Sequence, residues 1–306
     1  MITQEKRSPT WVRGRFAPSP SGLLHFGSLV TALASFLNIK SKNGAWLVRI
    51  EDIDPPREQL GASDNILKTL ELFGLHWDED ILYQSQQTSL YFDVLSDLAA
   101  KNLTYYCQCT RATIKVLGGI YQGQCRHLKL PSHVAHSNTT YATRIINKVA
   151  IDHYSDLIQG NIYCNQALAK EDFILVRKDG LFAYQLAVVV DDIYQNITEV
   201  IRGCDLIEPT ARQLSLFTLL QQAPPQYGHV PLVITPQGYK LSKQNKAPAI
   251  DINHPQSTLV TALQFLGQKP PAELKFESIE QIINWAIKHW SLNSVPKKTE
   301  IPFSPF

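Results

Sequence analysis

Long apolar runs are what this sequence most lacks: no window of its 306 residues approaches the roughly 20 uninterrupted apolar residues that cross a bilayer. A membrane-spanning helix is therefore not expected. The opening MITQEKRSPTW has no apolar core of the kind a secretory signal carries, so the expected location is the cytoplasm. An excess of charge of one sign is missing too. Lys and Arg number 29 against 27 Asp and Glu, a net charge of +2, and the pI is near 8.2. That balance permits an anionic partner without requiring one. Five cysteines, odd in number and unevenly spaced, exclude a disulfide framework in a chain of this size and leave reduced thiols or metal ligands. Internal repeats and low-complexity tracts are absent. Apolar residues, by contrast, make up 44% of the chain. That is enough to fill a core, and the length suits two domains or one large α/β domain with an attachment.

Along the chain, WVRGRFA (11 to 17) reads as a strand ending at Pro18, and Leu29, Leu33, Phe36 and Leu37 recur at helical spacing from Phe26 to about Lys40. AWLVRIED (45 to 52) is a second strand, and residues 60 to 73 form a second helix that stops at Gly74. This alternation predicts an α/β fold with a parallel sheet, its first half lying in residues 1–105. Residues 106–165 carry four of the cysteines and little periodicity, and read as an insertion. The β/α pattern resumes over 166–239 with DFILVRKDG, FAYQLAVVVDDI and EVIRGCD, a helix through 209 to 222 and the apolar strand HVPLVIT. Residues 240–306 turn polar and Pro-punctuated, with helices expected at 257 to 266 and 278 to 290.

Between the first strand and first helix stands PSPSGLLHFGS (18 to 28). A doubly wound sheet binds ligands beyond the carboxyl ends of its strands, where a helix N-terminus offers N–H groups and partial positive charge to phosphate. Gly22 and Gly27 lack a Cβ, so a base or ribose can lie on the backbone. Pro18 and Pro20 stiffen the approach, and His25 then faces the phosphates. KLSKQ (240 to 244) follows the last apolar strand. Alone it describes any solvated lysine loop; paired with the earlier stretch, its lysines can neutralise a pyrophosphate leaving group.

RFAPSPSGLLHFGS together with KLSK resembles the HIGH and KMSKS signatures of class I aminoacyl-tRNA synthetases, in the glutamyl/glutaminyl branch. RIEDIDPPR (49 to 57), GLHWDED (74 to 80), DFILVRKDGLFAYQLAVVVDDI (172 to 193) and VIRGCDL (200 to 206) extend the resemblance over residues 13 to about 246. It implies a Rossmann-like catalytic domain in which Arg15, Phe16, Ala17, Pro18 and Ser19 line a glutamate pocket. Arg15 would pair the side-chain carboxylate, Glu51 would accept from the ammonium, and Tyr184 and Arg202 would close the pocket. For ATP, used with Mg2+, it implies Gly22, His25, Gly27, Ser28, Lys240 and Lys243, with His25 and Lys243 catalytic. Phe26 and Ser28 depart from HIGH, and Ser28 removes one phosphate donor. Gln244 slightly weakens the charge of the loop.

Cys107, Cys109 and Cys125 give three soft ligands close enough in sequence to clamp one structural zinc ion. The fourth ligand lies between His127 and Tyr121. The spacing C-x-C-x₁₁-Y-x₃-C resembles the zinc site of truncated bacterial members of the branch and favours Tyr121. Cys164 and Cys204 are expected to be buried thiols. After KLSKQ the sequence suits a small helical module, not an anticodon-reading domain. The resemblance then implies the truncated members, which attach glutamate to the queuosine base in the anticodon of tRNA(Asp), the catalytic crevice itself receiving the anticodon loop. A truncated synthetase charging a tRNA 3′ end, a non-catalytic tRNA-binding paralogue and a non-tRNA adenylyltransferase are the alternatives. Intact His25, Glu51, Arg202 and Lys243 speak against the silent one.

Overall fold

A computed structural model describes residues 11–128, 141–241 and 249–303. Two strands buried at every position begin it, β1 (Arg13–Phe16) and β2 (Ala45–Ile50), paired in parallel with Arg15 opposite Leu47. Burial on both faces is why they carry no polar alternation. Helix α1 (Phe26–Lys40) connects them and buries Leu29, Val30, Leu33, Phe36 and Leu37 against the sheet. Helix α2 (Ala62–Leu72) ends on Gly74 at φ 70°. There the Gly74 N–H donates to the Glu71 carbonyl and the Leu75 N–H to the Leu70 carbonyl, which closes the helix as a left-handed cap. The short β3 (Leu82–Tyr83) extends the sheet in parallel beside β2.

Helix α3 (Thr88–Ala100) leads into β4 (Thr104–Cys107), α4 (Arg111–Val116), β5 (Ala142–Ile145), the hairpin β6 (His153–Asp156) and β7 (Gly160–Tyr163), α5 (Gln166–Ala169) and β8 (Ile174–Val176). Here the structure corrects the sequence reading. DFILVRKDG does not resume the parallel sheet: β8 pairs antiparallel with β5, which pairs antiparallel with β4.

Helix α6 (Tyr184–Tyr194) packs Leu186, Val189 and Val190 into a second core. The parallel pair β9 (Glu199–Gly203) and β10 (Gln226–Val230), joined by α7 (Ile207–Leu219), then lies beside β1. The Thr198 N–H donates to the Arg13 carbonyl at 2.9 Å and links the two halves. HVPLVIT is two strands instead of one. Pro231 has no N–H to give a ladder, so the chain breaks after β10 and restarts as β11 (Leu232–Ile234). Helices α8 (Pro255–Phe265) and α9 (Ile279–His289) pack on the α1 side of the core. The last strand, β12 (Glu300–Pro302), pairs in parallel with β11, and Phe303 stacks on Phe26 with ring centroids 4.5 Å apart. Among the described residues no helix is long and apolar enough to cross a membrane.

Candidate active site

A cavity of about 550 Å³ opens beyond the carboxyl ends of β1, β2 and β9. Arg15, Phe16, Ala17, Pro18 and Ser19 line it from β1 onward, with Glu51 just past β2, Tyr184 at the start of α6 and Arg202 in β9. His25, Gly27, Ser28 and Lys240 line its other side. Gly22 stands outside this lining; its φ of 135° suits glycine and shapes the turn. Lys243 lies outside the described residues.

His25 caps α1: its Nδ1 accepts from the Ser28 N–H at 3.2 Å. A neutral ring accepting at Nδ1 carries its proton on Nε2, the nitrogen that can donate to an anion. A Cβ on Gly27 would sit 3.2 Å from that ring, so glycine is what lets the imidazole lie against the helix start. With the Ser28 N–H taken by His25, the Phe26 and Gly27 N–H groups at the start of α1 have no intrahelical acceptor and add to the pull on phosphate. Lys240 pairs with Asp205 across the cavity mouth, which engages its charge locally.

On the wall opposite His25, Arg15 is held by Asp192, Nε to Oδ1 at 3.1 Å and Nη2 to Oδ2 at 3.2 Å. Nη1 makes no hydrogen bond to the described protein, which leaves one edge of the fork to a ligand carboxylate. Arg49, wholly buried, donates to the same Asp192 at 2.6 Å and to Gln195 Oε1 at 2.9 Å. Asp191 accepts from Gln84 and Tyr91. Burial pushes Asp191 up, whereas Asp192, although equally desolvated, is held below the usual carboxylate range by Arg15 and Arg49. Glu51 is the exception on this wall. Burial, reinforced by Asp191 and Asp192 and opposed by Arg15 and Arg49, raises its carboxyl to about 7. An arriving ammonium would supply the missing counter-charge.

Arg202 is fixed on several sides. It donates from Nη2 to Thr210 Oγ1 at 2.6 Å and Gln213 Oε1 at 2.7 Å, and from Nε to His229 Nε2 at 3.2 Å. It also lies over the Tyr227 ring at 4.7 Å, while Nη1 reaches the Tyr184 hydroxyl at 3.5 Å. Guanidinium Nε can only donate, so His229 Nε2 must accept and Nδ1 must carry the proton, which it gives to Asp156 Oδ2 at 2.5 Å. Burial and then Arg202 hold His229 below its ordinary value, and that keeps the neutral tautomer. The sequence reading missed Arg49, Asp156, Asp191, Asp192, Thr210, Gln213 and His229. One signal was available: VVVDDI places two acids in an apolar helix, and buried acids demand partners.

The family of class I tRNA synthetases (E and Q), catalytic domain, matches residues 11–300. The chain belongs to that family. A relative from Colwellia psychrerythraea (strain 34H) named glutamyl-Q tRNA(Asp) synthetase is 60% identical over 300 residues, covering 94% of this chain and 93% of its own. Relatives of the same name from Shewanella frigidimarina (strain NCIMB 400) and Escherichia coli (strain K12) are each 52% identical, covering 97% and 93% of this chain and 98% and 90% of theirs. Among solved structures, a glutamate tRNA ligase from Elizabethkingia meningosepticum in complex with its amino acid superposes with a TM-score of 0.78. It is 26% identical, covering 96% of this chain and 67% of that one. As a class I synthetase the chain is a ligase that uses ATP.

Away from the cavity, the Sγ atoms of Cys107, Cys109 and Cys125 lie within 4.8 Å of one another, Cys109 to Cys125 at 3.6 Å. Thiolates about 2.3 Å from one tetrahedral ion stand roughly 3.8 Å apart, so the set fits zinc. Tyr121, buried against them, accepts from the Cys125 N–H at 2.9 Å through its hydroxyl and is covered by Arg144 at 3.7 Å. His127, by contrast, is exposed and stands outside the buried Cys107, Tyr121 and Cys125 cluster. Cys204 is buried as expected, but Cys164 is only partly so, since it follows the exposed edge of β7.

Proposed function

We propose that this chain joins glutamate to ATP as glutamyl-adenylate and transfers the glutamyl group to the queuosine base in the anticodon of tRNA(Asp). The observation that carries the reading is the single cavity that sets Arg15, Glu51, Tyr184 and Arg202 opposite His25 and the start of α1. The relatives, similar along nearly the whole of both chains, supply the acceptor through their name. In the first step the α-carboxylate oxygen attacks the α-phosphorus of ATP and pyrophosphate departs. Nε2–H of His25, the helix start and Lys243 stabilise the charge that gathers on the phosphates. Arg15 selects a side-chain carboxylate over a carboxamide, and Glu51 takes the ammonium. In the second step an acceptor hydroxyl attacks the carbonyl carbon, AMP leaves, and the hydroxyl proton passes to the departing phosphate.

Zinc, where bound, is held by Cys107, Cys109, Cys125 and Tyr121, and cross-links the end of β4 to the turn at 121 to 125. It takes no part in either step. The reaction belongs to the cytoplasm, where its tRNA is found. The deciding experiment follows labelled glutamate onto RNA. It is expected on tRNA(Asp) containing queuosine and absent from the same tRNA carrying guanine; glutamate found on the 3′-terminal adenosine of tRNA(Glu) overturns the reading.

A further inference from the structure

Three aromatic rings meet beside the turn that presents His25. Phe303 stacks on Phe26 with centroids 4.5 Å apart and planes 8° from parallel, and Phe265 of α8 stands edge-on to both, 6.2 Å from Phe26 and 6.0 Å from Phe303. Stacked and edge-to-face contacts are the ones aromatic quadrupoles favour, so the cluster sets ring orientation as well as filling space. Phe26 is the first residue of α1 and follows the His25 cap directly. Whatever holds its ring therefore holds the turn.

The backbone of the same residue reaches β11. The Phe303 N–H donates to the Ile234 carbonyl at 2.8 Å and the Leu232 N–H to the Thr299 carbonyl at 2.9 Å, so β12 and its flanks take one edge of β11. On the other edge the Leu241 N–H donates to the Val233 carbonyl at 3.0 Å, the Thr235 N–H donates to the Tyr239 carbonyl at 2.8 Å, and Lys240 bridges antiparallel to Ile234. The backbone that brings Lys240 to the cavity is thus registered by β11, and β11 by β12. Val233 also lies against the start of α1, its Cβ 3.6 Å from where a Cβ on Gly27 would stand. Phe303 is outside the cavity lining, yet it meets the His25 turn through its ring and the strand that registers Lys240 through its N–H.

We propose that Phe303 is a positioning residue for the ATP half of the reaction, setting the separation between the His25 turn and the backbone that bears Lys240. The inference rests on the reading that glutamyl-adenylate forms in this cavity. Groups that stabilise charge on phosphates act best when they are in place before the substrate arrives, and a triphosphate lying between His25 and Lys240 needs both held at once. The amino-acid wall is held by other means. Asp192 fixes Arg15, and Thr210, Gln213 and His229 fix Arg202. Loss of the Phe303 contact should therefore reach the ATP constants alone.

The test compares the protein with Phe303→Ala, Phe303→Tyr, Phe26→Ile and the double variant Phe26→Ile/Phe303→Ala. ATP binding is measured by titration calorimetry, glutamate-dependent ATP–pyrophosphate exchange gives both KM values, and thermal unfolding reports the folded fraction. Phe303→Ala and Phe26→Ile are each expected to raise the Kd and KM for ATP about 10-fold, with the KM for glutamate within about 2-fold of the parent's. Because both remove the same stack, the double variant should be no worse than either single one by more than about 2-fold. Phe303→Tyr keeps the ring and the N–H and should restore the parent's constants. A residue that only closes the core would lower the unfolding temperature and leave the ATP constants of the folded protein unchanged. That result overturns the proposal, as does an equal rise in the KM for glutamate or a double variant in which the two losses multiply. If Phe303→Ala weakens ATP binding as expected while neither it nor the parent shows glutamate-dependent exchange, Phe303 keeps its role and the proposed adenylate falls.

Discussion

Lowering the pH from 8 to 6 should weaken glutamate binding while leaving ATP binding alone, and Glu51 is the reason. Its carboxyl titrates at about 7 because burial, helped by Asp191 and Asp192, outweighs Arg15 and Arg49. Only the carboxylate pairs with an ammonium. With one required deprotonation, the apparent KM for glutamate rises ~2-fold at pH 7 and ~10-fold at pH 6 over its limiting value. The same shift acts on the unliganded fold: a carboxyl raised above its unfolded value is favourable while protonated, and that contribution is lost as pH climbs from the usual carboxylate range through about 7. Bound glutamate relieves the charge, so its stabilisation of the protein in thermal unfolding should be larger at pH 8 than at pH 6. Glu51→Gln removes the titration. It should flatten the KM profile at a level higher by about 1.5–3 kcal/mol, roughly 10- to 150-fold, the loss of one hydrogen bond to a charged group. The assay is glutamate-dependent ATP–pyrophosphate exchange at saturating ATP. A KM that stays level from pH 6 to 8, or a Glu51→Gln profile that bends like the parent's, refutes the argument.

Asp156→Asn should let His229 change tautomer and free Arg202 Nε, raising the KM for glutamate about 10-fold with the KM for ATP unchanged; equal change in both constants would mean general loosening instead. Metal analysis should find one zinc per chain, retained in His127→Ala and weakened in Tyr121→Phe, and the reverse pattern would move the fourth ligand to His127. Gly14→Ala would put a Cβ 2.6 Å from Ile39 Cδ1 and 3.1 Å from the Glu199 carbonyl. It should cost about 1–3 kcal/mol in urea unfolding, and an unmoved midpoint would contradict the tight seam between α1, β1 and β9. Lys243→Ala should slow exchange by on the order of 10²-fold, and a near-normal rate would remove the KLSK loop from the chemistry.

What could be read in advance divides along physical lines. α2 was legible because it carries a one-sided apolar stripe between turn residues, α1 because its large apolar residues recur at helical spacing even though it is buried nearly all round, and PSPSGLLHFGS was legible because its glycines and prolines have few other uses. The sheet β4–β5–β8 was not. Its strands are three or four residues long and far apart in sequence, and their pairing is settled by partners, not by local pattern. β12, three residues ending at Pro302, gave no signal at all. Within the cavity, residues of the lining followed from resemblance, while those that hold Arg15 and Arg202 in place did not. Asp192 and His229 reach their arginines across 177 and 27 residues of chain, and nothing in a linear pattern records such a meeting.

The clasp between β11 and β12 bears on when, during synthesis, this protein becomes an enzyme. Phe26 follows His25 directly, yet the ring stacked on it belongs to Phe303, whose N–H also bonds the Ile234 carbonyl. Phe303 leaves the ribosome 277 residues after Phe26, so the turn that presents His25 waits long for its far neighbour. Contacts so distant in sequence form slowly and expose their apolar faces in the meantime. A nascent chain halted before residue 300 would hold most of its core and still leave Phe26 partly uncovered. Such a chain is a client for chaperones and not yet a catalyst.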